Sequence, residues 1–129
     1  MQQDLIRKMC RELRLGSHMG DIYPTIEAAN HEEFLEKLLS EAIRHRAAER
    51  RRRYIRQAGF DVMKGLDTFD FTDVTLPAGM TKEILTTCDF VKDKHNLILY
   101  GRPGTGKTHL ATALGIQACQ RDYQVMYFK

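Results

Sequence analysis

Hydrophobic positions in the first sixty residues recur at helical spacing. Leu5, Ile6, Met9, Cys10 and Leu13 share one face, which predicts a first helix with Gly16 as its C-terminal cap. The stretch from Ser17 to Pro24, punctuated by Gly20 and Pro24, reads as a connector. A second helix is predicted to begin near Asn30, because Asn30 and Glu33 stand at capping-box spacing. Its apolar face is Phe34, Leu35, Leu38, Leu39, Ala42 and Ile43. That pattern gives way to an arginine-rich stretch, then resumes at Tyr54, Ile55 and Ala58 before Gly59 closes the helix. The length is great for a globular helix and leaves room for a break inside it.

After Phe60 the helical period lapses. Phe69-Asp70-Phe71-Thr72 alternates aromatic and acidic residues, and is read as part of an extended linker that pins one domain onto another. Thr81 can cap a helix carrying Ile84, Leu85, Cys88 and Val91, and Asp93 to His95 forms a polar turn. Asn96-Leu97-Ile98-Leu99-Tyr100 is almost continuously apolar, as in a strand buried on both faces. A glycine-rich turn follows, then a helix bearing Leu110, Ala111, Leu114 and Ala118, then a second short strand at Gln124–Phe128. Strand, turn, helix and strand make one βαβ unit. The expected fold class is therefore α/β: a helical N-terminal region over 1–59, a linker over 60–79, and the start of a phosphate-loop α/β domain over 80–129. Its sheet is incomplete, since two strands fall well short of the usual five or six.

Composition narrows the class. With 43% hydrophobic and 29% charged residues, the chain is neither disordered nor low-complexity. It has no apolar run of about 18 residues, so no transmembrane helix is expected. Its first residues lack a secretory hydrophobic region, so the expected location is the cytoplasm, with no membrane partner. Cys10, Cys88 and Cys119 are sparse, odd in number and without CxxC spacing; they read as reduced core residues rather than a disulfide or zinc framework. The five histidines, at 18, 31, 45, 95 and 109, show no ligand spacing either.

The net charge of +3 comes entirely from the first sixty residues. Arg44, Arg46, Arg50, Arg51, Arg52, Arg53 and Arg56 crowd one stretch, offset by Glu49. Four consecutive arginines point in every direction around a helix, so the segment should project into solvent. It is either a solvated face held by salt bridges or a set of sequence-independent contacts to DNA phosphates. Tyr54, among these arginines, could stack on a base. Phe69 and Phe71 alternate with acids and read as anchors against the following domain rather than as base-stacking groups.

Chemistry is concentrated at Gly101-Arg102-Pro103-Gly104-Thr105-Gly106-Lys107-Thr108, which satisfies GxxxxGK(S/T) between an apolar run and a helix. Glycines let the backbone curl so that successive N–H groups point at a phosphate, and the helix that follows adds its positive end. Lys107 can reach the β- and γ-phosphates, and the Thr108 hydroxyl is a hard oxygen ligand for Mg²⁺. The expected nucleotide site is Gly101, Pro103, Gly104, Thr105, Gly106, Lys107, Thr108 and His109, with ATP and Mg²⁺ as cofactors. His109 is expected to pack against the strand, without chemistry of its own. Hydrolysis requires in addition a downstream acid at the end of a strand. Asp122, between the helix and the second strand, is poorly placed for this, so the segment looks able to bind ATP and poorly equipped to hydrolyse it.

The run Phe69-Asp70-Phe71, then Cys88-Asp89-Phe90-Val91, then Asn96 to Tyr100 into the loop and His109-Leu110-Ala111, resembles the IstB-like helper ATPases of bacterial insertion elements. Ala113 to Cys119 and the earlier Gln57-Ala58-Gly59-Phe60 extend the likeness. These proteins are relatives of DnaC-type helicase loaders within the AAA+ class. The resemblance implies a helical N-terminal domain and an AAA+ domain that bind DNA, self-assemble on it with ATP, and recruit or activate a transposase. The expected function is thus an ATP-binding helper of DNA transposition. Alternatives are a DnaC-type helicase loader, or a non-enzymatic DNA- or partner-binding remnant with a vestigial phosphate loop. The family's Walker-B acid, polar sensor and arginine finger lie further along its sequence than Lys129, so enzymatic turnover is left open. The chain is expected to be an N-terminal fragment or truncated copy, poorly folded after residue 95 unless a second chain completes the sheet.

Overall fold

Local capping chemistry decides where each helix starts and stops. The computed structural model describes residues 1–129 and divides into two units, Met1–Arg50 and Arg51–Lys129. In the first, α1 spans Gln2–Glu12. It ends earlier than Gly16 because Arg14 takes the left-handed conformation, φ 56°. Arg14 N–H then donates to Arg11 O at 3.0 Å and Leu15 N–H to Cys10 O at 2.8 Å. These are the two bonds of a Schellman closure, with arginine where glycine is usual.

The expected connector holds a short helix, α2 (Met19–Ile22), and a 3₁₀ turn at Tyr23–Thr25. Met19 and Gly20 are buried. Gly20 is required to be small, since a Cβ there would lie 2.2 Å from Cγ of Arg7. Arg7 continues past it to pair with Asp21, and Gln3 Nε2 donates to Gly20 O at 2.9 Å. The His18 ring stacks on His45, centroids 3.8 Å apart. Both His18 ring nitrogens are buried without a hydrogen-bond partner.

The long helix α3 spans His31–Ala58 without a break. Asn30 Oδ1 accepts the Glu33 N–H at 2.8 Å, so the cap forms as its spacing predicts. The reciprocal bond differs: the Glu33 carboxylate accepts from Ala29 N–H at 2.8 Å rather than from Asn30. Lys37, hydrogen-bonded to it first of all, holds that carboxyl below its usual pKa. Gly59, at φ 76°, closes the helix. Along its first half Ala42 is buried and Phe34 and Leu38 half-buried, whereas Leu35, Leu39 and Ile43 are exposed. The inward row is therefore one residue wide at four-residue spacing, narrower than the predicted stripe.

In the second unit α6 (Lys107–Gln120) is the central element. Leu110 and Leu114 form a core with Leu85, and Leu66, Phe69, Phe71, Leu76, Met80, Phe90, Leu97 and Leu99 pack around it. On one flank the Phe60 ring lies where a Cβ on Gly115 would approach to 2.7 Å. On another, Gln117 Nε2 donates to Thr86 O at 3.1 Å. Being covered on several sides, α6 also buries Thr112, Ala113, Ile116 and Cys119, while Ala111, predicted on the inner face, is exposed.

Thr81 caps α4 (Lys82–Thr86) by accepting Ile84 N–H at 3.2 Å. The predicted single helix divides there, because Cys88 takes φ 59° before α5 (Asp89–Lys92). Cys88 and Cys119 are fully buried and Cys10 partly so, all three as free thiols. Burial pushes the thiols of Cys88 and Cys119 up.

The two predicted strands do not form as strands; the elements are all helical. Leu97 and Leu99 are half-buried, but Ile98 and Tyr100 are 84% and 91% exposed. The second segment repeats this, with Val125 and Tyr127 inward and Met126 and Phe128 outward. Alternating burial replaces the expected burial on both faces. A strand is defined by ladder hydrogen bonds, and the one backbone bond of these segments to the rest of the unit runs from Tyr127 N–H to Ala58 O, 2.9 Å. No helix is long and apolar enough to cross a membrane.

Burial, followed by the neighbouring His45, lowers the His18 pKa, while Asp21 opposes the shift. The folded state thus favours neutral His18. Its contribution is complete above the unfolded value of about 6.5 and is lost as pH falls through the depressed folded value. The hydrogen-bonded amides of Leu15, Met19 and Gly20 should lose exchange protection on acidification to about pH 5, after correction for intrinsic rates. The step should vanish in His18→Phe, and equal protection at both pH values would refute the assignment.

Candidate phosphate-binding site

Leaving Tyr100, the backbone turns through Gly101-Arg102-Pro103 and reaches Gly104 (φ 80°) and Gly106 (φ 94°). Both adopt the left-handed conformation that only glycine takes without strain. Gly106 is the N-cap residue of α6. The N–H groups of Gly104, Thr105 and Gly106 take no backbone partner, and the first turn of a helix leaves further N–H groups unpaired. That turn carries no acid of its own to offset the helix's positive end.

Lys107 lies back across the loop, its Nζ donating to Gly101 O at 2.6 Å and Arg102 O at 2.9 Å. Thr105 Oγ1 donates to Arg102 O at 2.7 Å. A Cβ on Gly101 would stand 3.2 Å from that hydroxyl, a tight approach. Thr108 is exposed in the first turn of α6, where its hydroxyl could join phosphate oxygens in holding a hard cation. An anion entering the loop would meet main-chain N–H groups and a lysine whose present partners are two neutral carbonyls.

His109 faces the chain before the loop rather than the predicted strand. Its Nε2 is 3.1 Å from Gly65 O and 3.4 Å from Thr68 Oγ1, and its ring meets Phe69 edge-on at 5.1 Å. Phe69 in turn stands 3.2 Å from where a Gly106 Cβ would be and contacts Phe71 edge-on at 4.8 Å. The two phenylalanines thus act as anchors, with Lys82 Nζ 5.0 Å above the Phe71 ring. Asp70 between them accepts Thr72 N–H at 2.9 Å, and its hydrogen bonds to Thr72 hold its pKa down.

A cavity of about 630 Å³ opens beside the loop, between Thr105, Gly106 and Lys107 and a wall made by Val74, Leu76 and Pro77. Asp73 is its one acidic lining residue. Sequence reasoning did not single out that wall. Its apolar Val74 and Leu76 ahead of Pro77 were the available signal, too short to show a period.

The predicted arginines are not gathered into one cluster. Arg44 pairs with Glu41 on its own helix, and Arg46 donates to Arg14 O at 2.6 Å. Arg51 grips both carboxylate oxygens of Asp122, at 3.1 and 3.2 Å. Asp122 is therefore engaged away from the loop. Arg53 lies 5.8 Å from the Tyr54 ring centroid, Arg50 and Arg52 have contacts of their own, and Arg56 is exposed.

Known proteins share this sequence pattern. A family model described as "IstB-like ATP binding protein" matches residues 24–129. A Geobacillus stearothermophilus protein named for ATP binding in insertion sequence IS5376 is 33% identical over 97% of this chain and 52% of its own length. A Pseudomonas aeruginosa protein named likewise for insertion sequence IS21 is 35% identical over 76% of this chain and 37% of its own. The chain thus spans about half, or less, of the curated relatives it matches.

Removing the ring that backs the loop should loosen it. Phe69→Ala is expected to cost about 1–3 kcal/mol, below the 3–5 of a fully buried phenylalanine, and to speed exchange at the Leu110 amide, which donates to Gly106 O. Phe69→Leu should recover most of both. Unchanged exchange at Leu110 in the alanine variant would show that the ring does not support the loop.

Proposed function

The chain belongs to the IstB-like ATP-binding family, and on that premise we propose that it is the nucleotide-binding part of an ATP-dependent helper of DNA transposition. The observation that carries this reading is the loop at 101–108. Its glycines sit in left-handed conformations, its N–H groups take no backbone partner, and its lysine is tied only to neutral carbonyls. In this reading Lys107 leaves Gly101 O and Arg102 O to meet the β- and γ-phosphates of ATP. Gly104, Thr105 and Gly106 donate their N–H groups to phosphate oxygens, and Thr108 Oγ1 takes one position on Mg²⁺. Bound Mg²⁺ would neutralise the phosphate charge that this single lysine leaves uncompensated. His109 acts by holding Gly65 and Phe69 against the loop.

Duplex DNA is the second partner in this proposal, held without sequence preference by arginines of α3 and its surroundings. Arg51 is set aside for its two-point Asp122 pair, and the phosphate contacts proposed for the arginine run are Arg50, Arg52, Arg53 and Arg56. A transposase is the proposed target of the assembled helper, and the exposed rows Ile98/Tyr100 and Met126/Phe128 are the proposed faces on which further layers of the ATPase domain pack.

Lys107→Ala should lose Mg²⁺-ATP binding at least tenfold in titration calorimetry, with an unchanged circular dichroism melt. ATP affinity equal to the parent protein's would remove the loop from the account. Duplex binding should weaken steeply with salt, and combined Arg50→Gln, Arg52→Gln and Arg53→Gln should reduce the logarithmic salt slope by about 2–3, near 0.9 for each phosphate no longer neutralised. An unaltered slope would exclude these arginines.

A further inference from the structure

The first unit holds a basic concavity that involves neither the glycine loop nor the run Arg50–Arg53. A notch of about 290 Å³ lies between the end of α1 and the middle of α3, lined by Arg11, Arg14, His45, Arg46 and Glu49. Three guanidinium-bearing residues thus meet one carboxylate.

The notch is organised rather than a chance gathering of long side chains. Arg46 is fixed at it by donation to Arg14 O, 2.6 Å, which uses one of its five N–H donors and leaves others available. His45 is held in place by stacking on His18. Arg14 occupies the left-handed position of the Schellman closure, φ 56°, where glycine or asparagine would be less strained. Arg11 and Arg14 are both exposed, so their charges face water.

We infer that this notch is a separate phosphodiester contact, taking one backbone phosphate of nucleic acid between Arg11, Arg14 and Arg46. The inference rests on the proposed DNA-binding reading and names a contact outside the arginine run. Free phosphate or a nucleotide shares this chemistry, but the notch favours the backbone source. Its donors are side-chain guanidiniums on an open surface, without the inward-turned main-chain N–H groups that the 101–108 loop offers. The ring in its lining, His45, is already stacked on His18, and a carboxylate in the lining disfavours a multiply charged triphosphate more than a singly charged diester.

Arg14→Gly separates binding from folding. Glycine relieves the left-handed backbone, so thermal stability should hold or rise, while affinity for a duplex of about twenty base pairs should fall several-fold by fluorescence anisotropy. Arg11→Gln combined with Arg14→Gly should weaken binding about tenfold and lower the salt slope by up to about 0.9, for the one phosphate no longer neutralised, with Mg²⁺-ATP affinity unchanged. Duplex affinity and slope equal to the parent's in this double variant, alongside weakening in the Arg50/Arg52/Arg53 glutamine variant, would overturn the notch while leaving the DNA reading intact. No duplex binding by the parent chain would overturn both. Pyrophosphate binding in Lys107→Ala that is abolished by adding the Arg11 and Arg14 changes would assign the notch to free phosphates and overturn the nucleic-acid source.

Discussion

The second unit depends on one constraint, that α6 must be buried on several sides while its N-terminus stays open. Leu110 and Leu114 meet Leu85 in the core, Phe60 closes on Gly115, and Gln117 reaches Thr86. Those contacts leave the first turn as the part of the helix that can face a ligand. An uncovered helix start concentrates unpaired N–H groups and the positive end of the macrodipole in one place. The loop at 101–106 adds its own N–H groups to that place because Gly104 and Gly106 can take positive φ.

The linker is the element that turns this arrangement into a stable one. Leu66, Phe69, Phe71 and Leu76 are packed in the core, so the segment before α4 is structural to the domain it leads into. His109 is the junction: from α6 it reaches Gly65 O and the Phe69 ring, and Phe69 touches Gly106. A change in the loop is thereby felt in the linker through two contacts, without any long-range pathway. Stability and the conformation of the loop share the same few side chains.

In the first unit the corresponding role falls to chain reversal after α1. Arg14 accepts a left-handed backbone, its carbonyl is held by Arg46, and His18 is pressed onto His45 with its ring nitrogens unpartnered. Each contact joins α1 or α2 to α3 over a small area, and Leu35, Leu39 and Ile43 remain outside. A unit with so little buried apolar surface relies on specific polar and ring contacts to a greater degree than α6 and its neighbours do.

What the sequence alone determined is what depends on neighbours along the chain. The Asn30 and Thr81 caps, the Gly59 stop, the glycine loop and the start of α6 follow from local hydrogen bonding and backbone freedom, and are legible residue by residue. Tertiary structure decided everything that depends on which surfaces meet. The α1 stop fell at Arg14 instead of Gly16, where Arg46 from α3 bonds that carbonyl. The predicted helix broke at Cys88, which takes φ 59° with its buried thiol 3.9 Å from Leu114 O. Asp122 went to Arg51, His109 went to the linker, and the wall at 74–77 came to face the loop across the chain. The two apolar segments formed no strands, for a physical reason of the same kind: apolar residues can mark a segment as ready for a sheet, but ladder hydrogen bonds require a neighbouring chain segment, and only the folded arrangement supplies or withholds one.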